Sequence, residues 1–518
     1  MISISSILYK IKEGIKRMFS PKTIENVLHV SPAISNDMIN NIQLWTDMYE
    51  NKAPWLKSAT NDDPSEVKSL GLPQIIASEK ARTALLEFKS EITGNNERAT
   101  FLNECYEKVK SQLRVQVEYG IAKGGLVIKP YISNNTLLFD FVQADDFYPL
   151  AFSGDGQVTE AAFIQRKVDK DTIYTRIEHH KIVDNIITVH NLAYKSHTGG
   201  KIQSDSSIGN RINLNEVPEW AELEPEIQIV GVDRLLFAYF KVPEANTIDT
   251  RSPLGVSGYS KAVGLIAEAD RQYSRILWEY EGSELAIDID RTALTPTPTY
   301  DGHGNIVVES KLGKLQQRLY RQVDLGIDNT YQVFSPTIRD GSLINGLNVL
   351  LMRIEDACSI SRGTLSDINS VEKTATELKI MKQRSYQANA QVQTALQKAL
   401  DDLIYVMNVY CDLYGIVGSG EYDVSYEWDD SIIVDLESEL NTRMNLLNNG
   451  IISKVELRMW YFGETEEQAI EALNKVNEEK AEAIQSSQEA FSNGETEESG
   501  DKESNTEDTE DKEIPTKD

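Results

Sequence analysis

The amino-acid sequence predicts an α+β protein in which helical segments lie on both sides of an antiparallel β region. Residues 36–120 carry apolar side chains at helical spacing, whereas residues 126–195 contain short β-branched and aromatic segments separated by turns such as SNN and SGDG. Helical spacing returns at Ser257 and continues through the longest predicted helix, about 375–414. Separate blocks of helices and strands of this kind favour the α+β class.

The composition limits what the protein can do. The chain has 518 residues, enough for roughly three domains, and it is 40% hydrophobic and 26% charged. Its formal net charge is −29, and residues 491–518 contribute eleven acids and three lysines to that balance. Tight, sequence-independent binding of DNA needs a basic surface, so this balance argues against such binding. The segment 481–518 is predicted to be an acidic, disordered tail.

The first 35 residues are predicted to form an amphipathic arm. Ile4, Ile11, Ile15 and Met18 recur at helical spacing, with lysines and an arginine between them. We expect this arm to dock on the body of the protein or on a partner. We expect no membrane span, because the sequence has no apolar run of the length that crosses a bilayer.

Residues 257–289 are predicted to form a long helix with an apolar seam. The seam residues are spaced alternately by four and three, which is typical of a helix that packs along another helix. The seam is too apolar for a lone pair of helices, so we expect it to pack between subunits of an oligomer. It consists of Ala262, Ile266, Ala269, Tyr273, Ile276 and Tyr280.

Residues 290–335 interrupt the helices with a small hairpin-like module. The stretch RTALTPTPTYDGHGNIVVESKLGKL contains two prolines and three glycines, which break helices. Within it, residues 291–321 have a local net charge of +3, because they contain five bases and only two acids, Asp301 and Glu309. These bases form either a surface for a partner or a solvated helix face. They are Arg291, Lys311, Lys314, Arg318 and Arg321.

A second helix over 336–361 leads through a loop, 362–374, into the longest helix of the chain. Thr374 and Glu377 form a capping box at the start of that helix, since each side chain can bond the other's backbone amide. The first half of the helix is polar nearly all round. Its second half has an apolar face, which predicts that this end is buried.

The last ordered parts of the chain are predicted from short local patterns. The stretch YDVSYEW alternates as a strand does and completes the segment 375–434. Residues 435–480 contain two further capping boxes, starting at Ser453 and Thr465, which predict short helices.

The sequence contains no recognisable catalytic motif. It lacks the phosphate-binding loop GxxxxGK[ST], HExxH and GxSxG. His179 and His180 are adjacent on a predicted strand, so their side chains point to opposite faces and do not suit one metal ion. The three cysteines fit no CxxC spacing, so we expect small core residues in a chain made in a reducing compartment. We therefore expect no catalytic residue, metal or cofactor.

Four stretches, taken together and in this order, resemble the portal proteins of long-tailed phages that infect Gram-positive bacteria. They are GGLVIKPYI with FDFVQADDFYPL, RSPLGVSGYSKA, EKTATELK, and GIISKVELRMWYFGETEEQAIEAL. The resemblance implies a phage portal fold, in which stem helices line a channel, a clip faces the packaging motor, and a tunnel loop faces DNA. Its parts would be the wing (36–256 and 375–434), the stem helices (257–289 and 336–361), the clip (290–335), the tunnel loop (362–374) and the crown (435–480).

The resemblance also implies the function of a structural, non-enzymatic ring at a capsid vertex. The ring, of twelve subunits in the virion, would contact capsid and scaffold proteins, the large terminase subunit during packaging, and a head–tail adaptor later. It would be assembled in the host cytoplasm and touch double-stranded DNA only transiently, without sequence preference. The loop residues that would face DNA are Arg362, Ser366, Asp367, Ile368, Asn369, Ser370, Val371, Glu372 and Lys373. The stretch 364–373 departs from a flexible tunnel loop because it contains no glycine.

Two other functions remain open at this point. The chain is compatible with another non-enzymatic virion protein, such as a minor head or adaptor protein. It is also compatible with a Mg²⁺-dependent nuclease that uses the acidic pair Asp288 and Asp290. A solvated strand face explains such a pair more simply, because acidic pairs arise by chance in a chain with 81 acids.

Overall fold

The structure, a computed structural model, describes residues 19–56, 67–133, 136–197, 208–290, 299–300, 302–304, 306–307, 320–323, 331–367, 375–428 and 436–478. The contacts within the chain divide it into two units, Met1–Asp429 and Asp430–Asp518. Each unit is described by itself below. In the described part of the chain, no helix is long and apolar enough to cross a membrane.

The helices begin and end where local hydrogen bonding favours it. Ser20, Ser35 and Asn96 each accept a hydrogen bond from the backbone amide three residues further on, which satisfies an otherwise unpaired donor. Gly124 ends a 27-residue helix with a φ of 98°, a left-handed conformation that glycine adopts without strain. The helices are α1 (Pro21–Leu28), α2 (Asn36–Tyr49), α3 (Leu72–Leu85), α4 (Glu97–Lys123), α5 (Val263–Gly282), α6 (Asp340–Cys358), α7 (Ala375–Tyr414), α8 (Leu436–Asn448) and α9 (Lys454–Phe462).

The strands form several sheets in which nearly all pairs are antiparallel, as the sequence predicts. The largest sheet has the order β4-β5-β6-β7-β8, with β9 also paired to β7. The strands are β1 (Phe88–Thr93), β2 (Gly125–Ser133), β3 (Thr136–Gln143), β4 (Phe147–Phe152), β5 (Val158–Asp169), β6 (Thr172–Val183), β7 (Ile186–His197), β8 (Asn210–Ile212), β9 (Glu226–Val230), β10 (Ala238–Lys241), β11 (Ala286–Asp290), β12 (Thr299–Tyr300), β13 (Ile306–Val307), β14 (Tyr320–Val323), β15 (Tyr331–Phe334) and β16 (Asp423–Trp428).

Strand β1 interrupts the stretch 36–120, which the sequence predicted as mostly helical. It pairs with β16, more than three hundred residues further along the chain, and Phe88 stacks on Trp428 with ring centroids 4.3 Å apart. Because its partner is so distant in sequence, the strand has no local signal of the kind that hairpins have.

A large apolar core joins helices and sheets of the first unit, and two smaller apolar clusters accompany it. It includes residues of α2, α3, α4, β2 and the second half of α7. The predicted core face of α7 is confirmed, since Val392, Leu396, Ala399 and Leu403 are buried. Long helix α7 is therefore held at its carboxyl-terminal half by the core.

A buried arginine links two distant parts of this unit. Arg98, at the start of α4, is 2% exposed and donates to the backbone oxygens of Asn408, Val417 and Gly418. It also forms an ion pair with Asp412 at 2.6 Å. Its guanidinium thus joins the start of α4 to the last turns of α7 and to the segment that follows α7.

The second unit consists of short helices whose starts agree with the sequence. Both hydrogen bonds of the capping box between Ser453 and Glu456 form at the start of α9. Thr465 and Gln468 make the equivalent pair ahead of a helical segment over 466–478. Arg443 lies 4.4 Å above the ring of Trp460 and so connects α8 with α9.

Helices α5 and α6 are both shorter at each end than the sequence-based prediction. Helix α5 begins at Val263, because residues 251–258 are irregular and a short 3₁₀ turn, Ser260–Ala262, precedes it. It ends at Gly282, and residues 286–289, which were predicted as helix, belong to strand β11. Helix α6 begins at Asp340 and ends at Cys358, because Ser359 adopts a left-handed conformation with φ 55°. The described residues between β11 and β15 form strands and a turn at 302–304.

Replacing Arg98 with alanine should lower the free energy of unfolding by about 3 kcal/mol, because several buried carbonyl oxygens lose their donor. Urea or thermal unfolding followed by tryptophan fluorescence measures the change. The matched control is Arg82→Ala, since Arg82 is half exposed and pairs with Glu79 on the surface of α3. The control should stay within about 0.5 kcal/mol of the parent. Equal loss in both variants would show that Arg98 has no special role.

Candidate functional site

The long helices α5 and α6 pack against each other as an antiparallel pair. Near the middle of the pair, the Gln272 side-chain amide donates to the backbone oxygen of Leu343 at 3.1 Å. Further along, Arg339 forms a two-pronged ion pair with Glu279, at 3.0 and 2.8 Å, and its backbone amide donates to the same carboxylate. These hydrogen bonds hold the two helices in one register.

One end of this pair is buried and the other is exposed. At the buried end, Ile266 of α5 and Ile354 of α6 have no exposed surface and belong to the large core. Toward the other end, Trp278 is 62% exposed and Ile344 46%, and Val349, in the middle of α6, is 50% exposed. The pair therefore projects from the core with apolar side chains in contact with solvent.

This burial corrects one prediction for the apolar seam. Ala262, Ile266 and Ala269 are fully buried inside the chain itself, so they cannot pack against a neighbouring subunit. Ile276 is also buried, and Tyr280 is 41% exposed. The seam attaches α5 to its own core, and only its far end is accessible.

A buried carboxylate strengthens that attachment. Asp270 is 2% exposed and accepts hydrogen bonds from the indole of Trp55 and the backbone amide of Leu70, both at 2.9 Å. Burial raises the pKa of this carboxyl group, while the two hydrogen bonds oppose the rise. Asp270 thus ties the segment that precedes α3 to one side of α5.

A small sheet lies where the chain passes from α5 to α6. Strand β11 pairs with β15 in antiparallel and with β14 in parallel orientation. Asp288 of β11 forms a two-pronged ion pair with Arg321 of β14, at 2.8 and 3.2 Å, and Arg321 lies 4.3 Å above the ring of Phe334.

These contacts bear on two predictions for this region. Arg321 was predicted to lie on a partner surface or a solvated face; it pairs with Asp288 within the chain, and its side chain remains 46% exposed. The same ion pair occupies both oxygens of Asp288, which was a candidate Mg²⁺ ligand. The other predicted clip residues, Arg291, Lys311, Lys314 and Arg318, lie outside the described residues.

The loop after α6 is attached to that helix over its first residues. The carboxylate of Glu355 accepts hydrogen bonds from the backbone amides of Gly363, Leu365 and Ser366, at 3.0, 2.6 and 2.9 Å. It also accepts from the Ser366 hydroxyl at 2.7 Å. Ser366 is 7% exposed, so the prediction that its side chain faces DNA is wrong.

Two further contacts hold the same segment. The side chain of Asn348 donates to the backbone oxygen of Asp367 at 3.0 Å and accepts from its amide at 2.7 Å. Arg362 forms an ion pair with Asp356 at 2.7 Å, and this hydrogen-bonded pair lowers the pKa of the Asp356 carboxyl group. Arg362 and Asp367 keep exposed side chains.

The remaining predicted loop and cap residues are not described by the structure. Residues 368–374, which include Lys373 and Thr374, lie outside the described residues, as does the side chain of Glu377. Their predicted roles stay predictions.

Sequence analysis missed the polar residues that fix the helix pair and the loop. Asp270 and Glu355 fall on apolar faces of their helices, next to Ala269 and Ile354. A charged residue at a core position was the available signal, since such a group is buried only when it has partners. Its partners could not be inferred from the sequence.

The helix pair carries more acids than bases. The described residues 257–290 and 331–367 contain eleven acids and six bases. Asp270 and Glu355 are buried, so nine of these acids and six bases remain, and this region still shares the negative balance of the whole chain.

Titratable groups elsewhere in the sheets are paired with each other. His179 contacts Glu160 at 2.8 Å and His180 contacts Glu178 at 2.7 Å, on opposite faces of β6. Burial lowers the pKa of His179. In the described residues, no group of three His, Cys, Asp or Glu side chains is placed to hold a metal ion.

A polar cavity of about 510 Å³ lies beside these groups, away from the helix pair. Two ion pairs line it, Lys123 with Asp145 and Lys129 with Glu178, both at 2.7 Å. Because these charges neutralise each other, the cavity has the character of a buried ion-pair network and not of a reactive centre.

The chain matches one family model over most of its length. The model, described as phage portal protein, SPP1 Gp6-like, covers residues 28–486. No curated protein is a significant match for the chain.

Replacing Asp288 with asparagine should loosen the sheet at the far end of the helix pair without affecting any Mg²⁺-dependent reaction. The ion pair is partly exposed, so hydrogen exchange of the β11 and β14 amides should become about two- to fivefold faster. Glu281→Gln, at an exposed site on α5, is the control and should leave exchange unchanged. Cleavage of DNA by the parent protein with Mg²⁺, abolished by Asp288→Asn, would contradict this interpretation and support the nuclease alternative.

Proposed function

This chain belongs to the phage portal protein family, and on that premise we propose that it is the subunit of a closed ring at one vertex of a phage capsid. The phage DNA would pass through the central channel of the ring, inward during packaging and outward during ejection. The role of the chain is structural: it supplies the channel and docking surfaces, while the energy for packaging comes from a separate motor.

The exposed apolar surface at the projecting end of the helix pair carries the proposal. In the single chain, Trp278, Leu285, Ile344 and Val349 are each 46 to 62% exposed. Several large apolar side chains exposed on one projecting element are typical of a surface that another protein covers. Copies of the chain arranged around an axis cover it by head-to-tail contacts, which close into a ring when the rotation allows.

The charge of the helix pair suits a channel that DNA traverses. Tight binding to the phosphate backbone comes from arginine and lysine contacts, which release counterions. The acidic excess of the helix pair supplies few such contacts. DNA is therefore repelled weakly from the wall and slides, with only transient and sequence-independent contact.

The parts of the subunit receive their roles by analogy with the family. Helices α5 and α6 form the stem, and the strands between them, within 290–335, form the clip. The clip docks the large terminase subunit during packaging and the head–tail adaptor later. Residues 36–256 and 375–434 form the wing, which contacts capsid and scaffold proteins, and residues 435–480 form the crown.

The same analogy supplies the number of subunits, the place of assembly and the type of phage. The ring has twelve subunits in the virion, assembles in the host cytoplasm, and belongs to a long-tailed phage of a Gram-positive host. Residues 368–374 form the part of the tunnel loop that faces DNA.

The ring should fail to close when a charge is placed on the exposed apolar surface. The double variant Trp278→Asp, Val349→Asp loses roughly 2 kcal/mol or more of apolar burial at each interface and introduces buried carboxylates. Negative-stain microscopy and native mass spectrometry distinguish rings from monomers.

Val183→Asp is the matched control for ring closure, because Val183 is 53% exposed at a hairpin tip of the large sheet. This control should still form rings. A parent protein that stays monomeric at high concentration, or a double variant that assembles normally, would contradict the proposed ring.

The loop is tested by reversing a charge near its end. Lys373→Glu should change the amount of DNA packaged or retained while rings still form, because the residue would then repel the phosphates that pass it. The measurement is DNA per particle at equal ring content. Lys89→Glu, on exposed strand β1, is the control.

Thr374→Ala separates a contact role from a helix-capping role at the same place. Loss of the cap costs about 1 kcal/mol of helix stability. Any effect of this variant on DNA content should therefore come from a less stable helix start and not from a change of charge. Normal DNA content in particles that carry Lys373→Glu would remove the loop's proposed role in DNA passage.

A further inference from the structure

Glu355 is a fully buried acid whose partners all belong to the loop that follows its helix. Its side chain has no exposed surface, and four donors reach its two oxygens from residues 363–366. Within the described residues, no cation forms an ion pair with it. An isolated buried carboxylate is costly, so these charge-assisted hydrogen bonds are what allow it to remain there.

The local conformation of the chain brings these donors together. Helix α6 ends at Cys358, and Ser359 turns the chain with φ 55°. Gly363 continues the reversal with φ 90°, a conformation that side chains rarely adopt. The amides of Gly363, Leu365 and Ser366 then converge on one carboxylate oxygen.

A second attachment lies two helical turns earlier on α6. Asn348 makes two hydrogen bonds with the backbone of Asp367, at 2.7 and 3.0 Å. Seven residues of helix separate Asn348 from Glu355, a rise of about 10 Å. The segment 363–367 therefore runs back along α6 and is attached to it at both ends.

The next helix reaches the same region. Asp356, beside Glu355, pairs with Arg362 at 2.7 Å and with Arg384 of α7 at 3.3 Å. Helix α6 thus contacts the segment that enters residues 368–374 and also the helix that follows them.

We propose that Glu355 and Asn348 are positioning residues that fix the entry to the loop 368–374 on α6. This inference rests on the proposed function, in which α6 lines the DNA channel and the loop faces DNA. A shift of α6 along the channel then carries residues 363–367 with it, and the position of the loop follows the position of the helix. Neither residue contacts DNA itself.

The test measures the hydrogen-exchange rate of the backbone amides that bond Glu355 and Asn348. Hydrogen exchange of the peptide that contains residues 363–367 is measured in assembled rings of the parent and of Glu355→Ala, Glu355→Gln and Asn348→Ala. Loss of charge-assisted hydrogen bonds should speed exchange about tenfold or more in Glu355→Ala. Asn348→Ala should speed exchange at Asp367, whereas Asn345→Ala, at an exposed site one turn earlier, should not.

The conservative variant separates the hydrogen bonds from the charge. In Glu355→Gln, the side-chain oxygen can still accept from the three amides, and the side-chain nitrogen can donate to the Ser366 hydroxyl. Exchange should then fall between that of the parent and that of Glu355→Ala. The change in DNA per particle should be largest for Glu355→Ala and smaller for Glu355→Gln. Ring assembly should be unchanged in all variants.

Separate outcomes test the inference and the proposed function. Unchanged hydrogen exchange in Glu355→Ala rings overturns the inference. It is also overturned if variants with faster exchange keep a normal DNA content while Lys373→Glu lowers the DNA content. If neither Lys373→Glu nor any loosened variant changes DNA content, the proposed role of the loop fails as well. If Glu355→Ala does not assemble, Glu355→Gln and Asn348→Ala give the same readouts, and unchanged exchange in both overturns the inference.

Discussion

The structure of the first unit depends on burying one end of two long helices in a common core. Ile266 of α5 and Ile354 of α6 lie in the same apolar cluster as the second half of α7. Burial of this kind is the largest favourable term in folding, and it fixes the direction in which the free ends of the helices project. The small sheet at the far end, the exposed apolar surface and the loop all take their positions from that anchored end.

Much of this fold could be predicted from local sequence. The long helix α7 begins and ends at the residues that its periodicity and Thr374 indicated, and the antiparallel strands from Gly125 onward follow their β-branched segments. These features depend on side chains that lie close together along the chain. Strand β1 was missed because its partner, β16, lies far away in sequence.

The candidate site was predicted less well, for a related reason. The apolar seam of α5 was recognised, but periodicity does not show whether a helix face meets its own core or another subunit, and Ala262, Ile266 and Ala269 meet their own core. Residues 362–367, the described part of the predicted loop, follow α6, but several of them were expected to face DNA. The interaction that prevents this, between Ser366 and Glu355, depends on a chain reversal that no short motif specifies.

The attachment of the loop to Glu355 is made almost wholly through backbone amides, and this has a consequence for sequence variation. Thr364 and Leu365 contribute no side-chain atom to the carboxylate's hydrogen bonds, whereas Gly363 is required for its backbone conformation and Ser366 for its hydroxyl. The hydroxyl of Thr364 instead donates to the backbone oxygen of Ser361, and the side chain of Leu365 packs against the core. Substituting either side chain changes those contacts but leaves every hydrogen bond of the Glu355 carboxylate in place. The attachment of this segment to α6 can therefore be inherited while the side chains at these two positions vary.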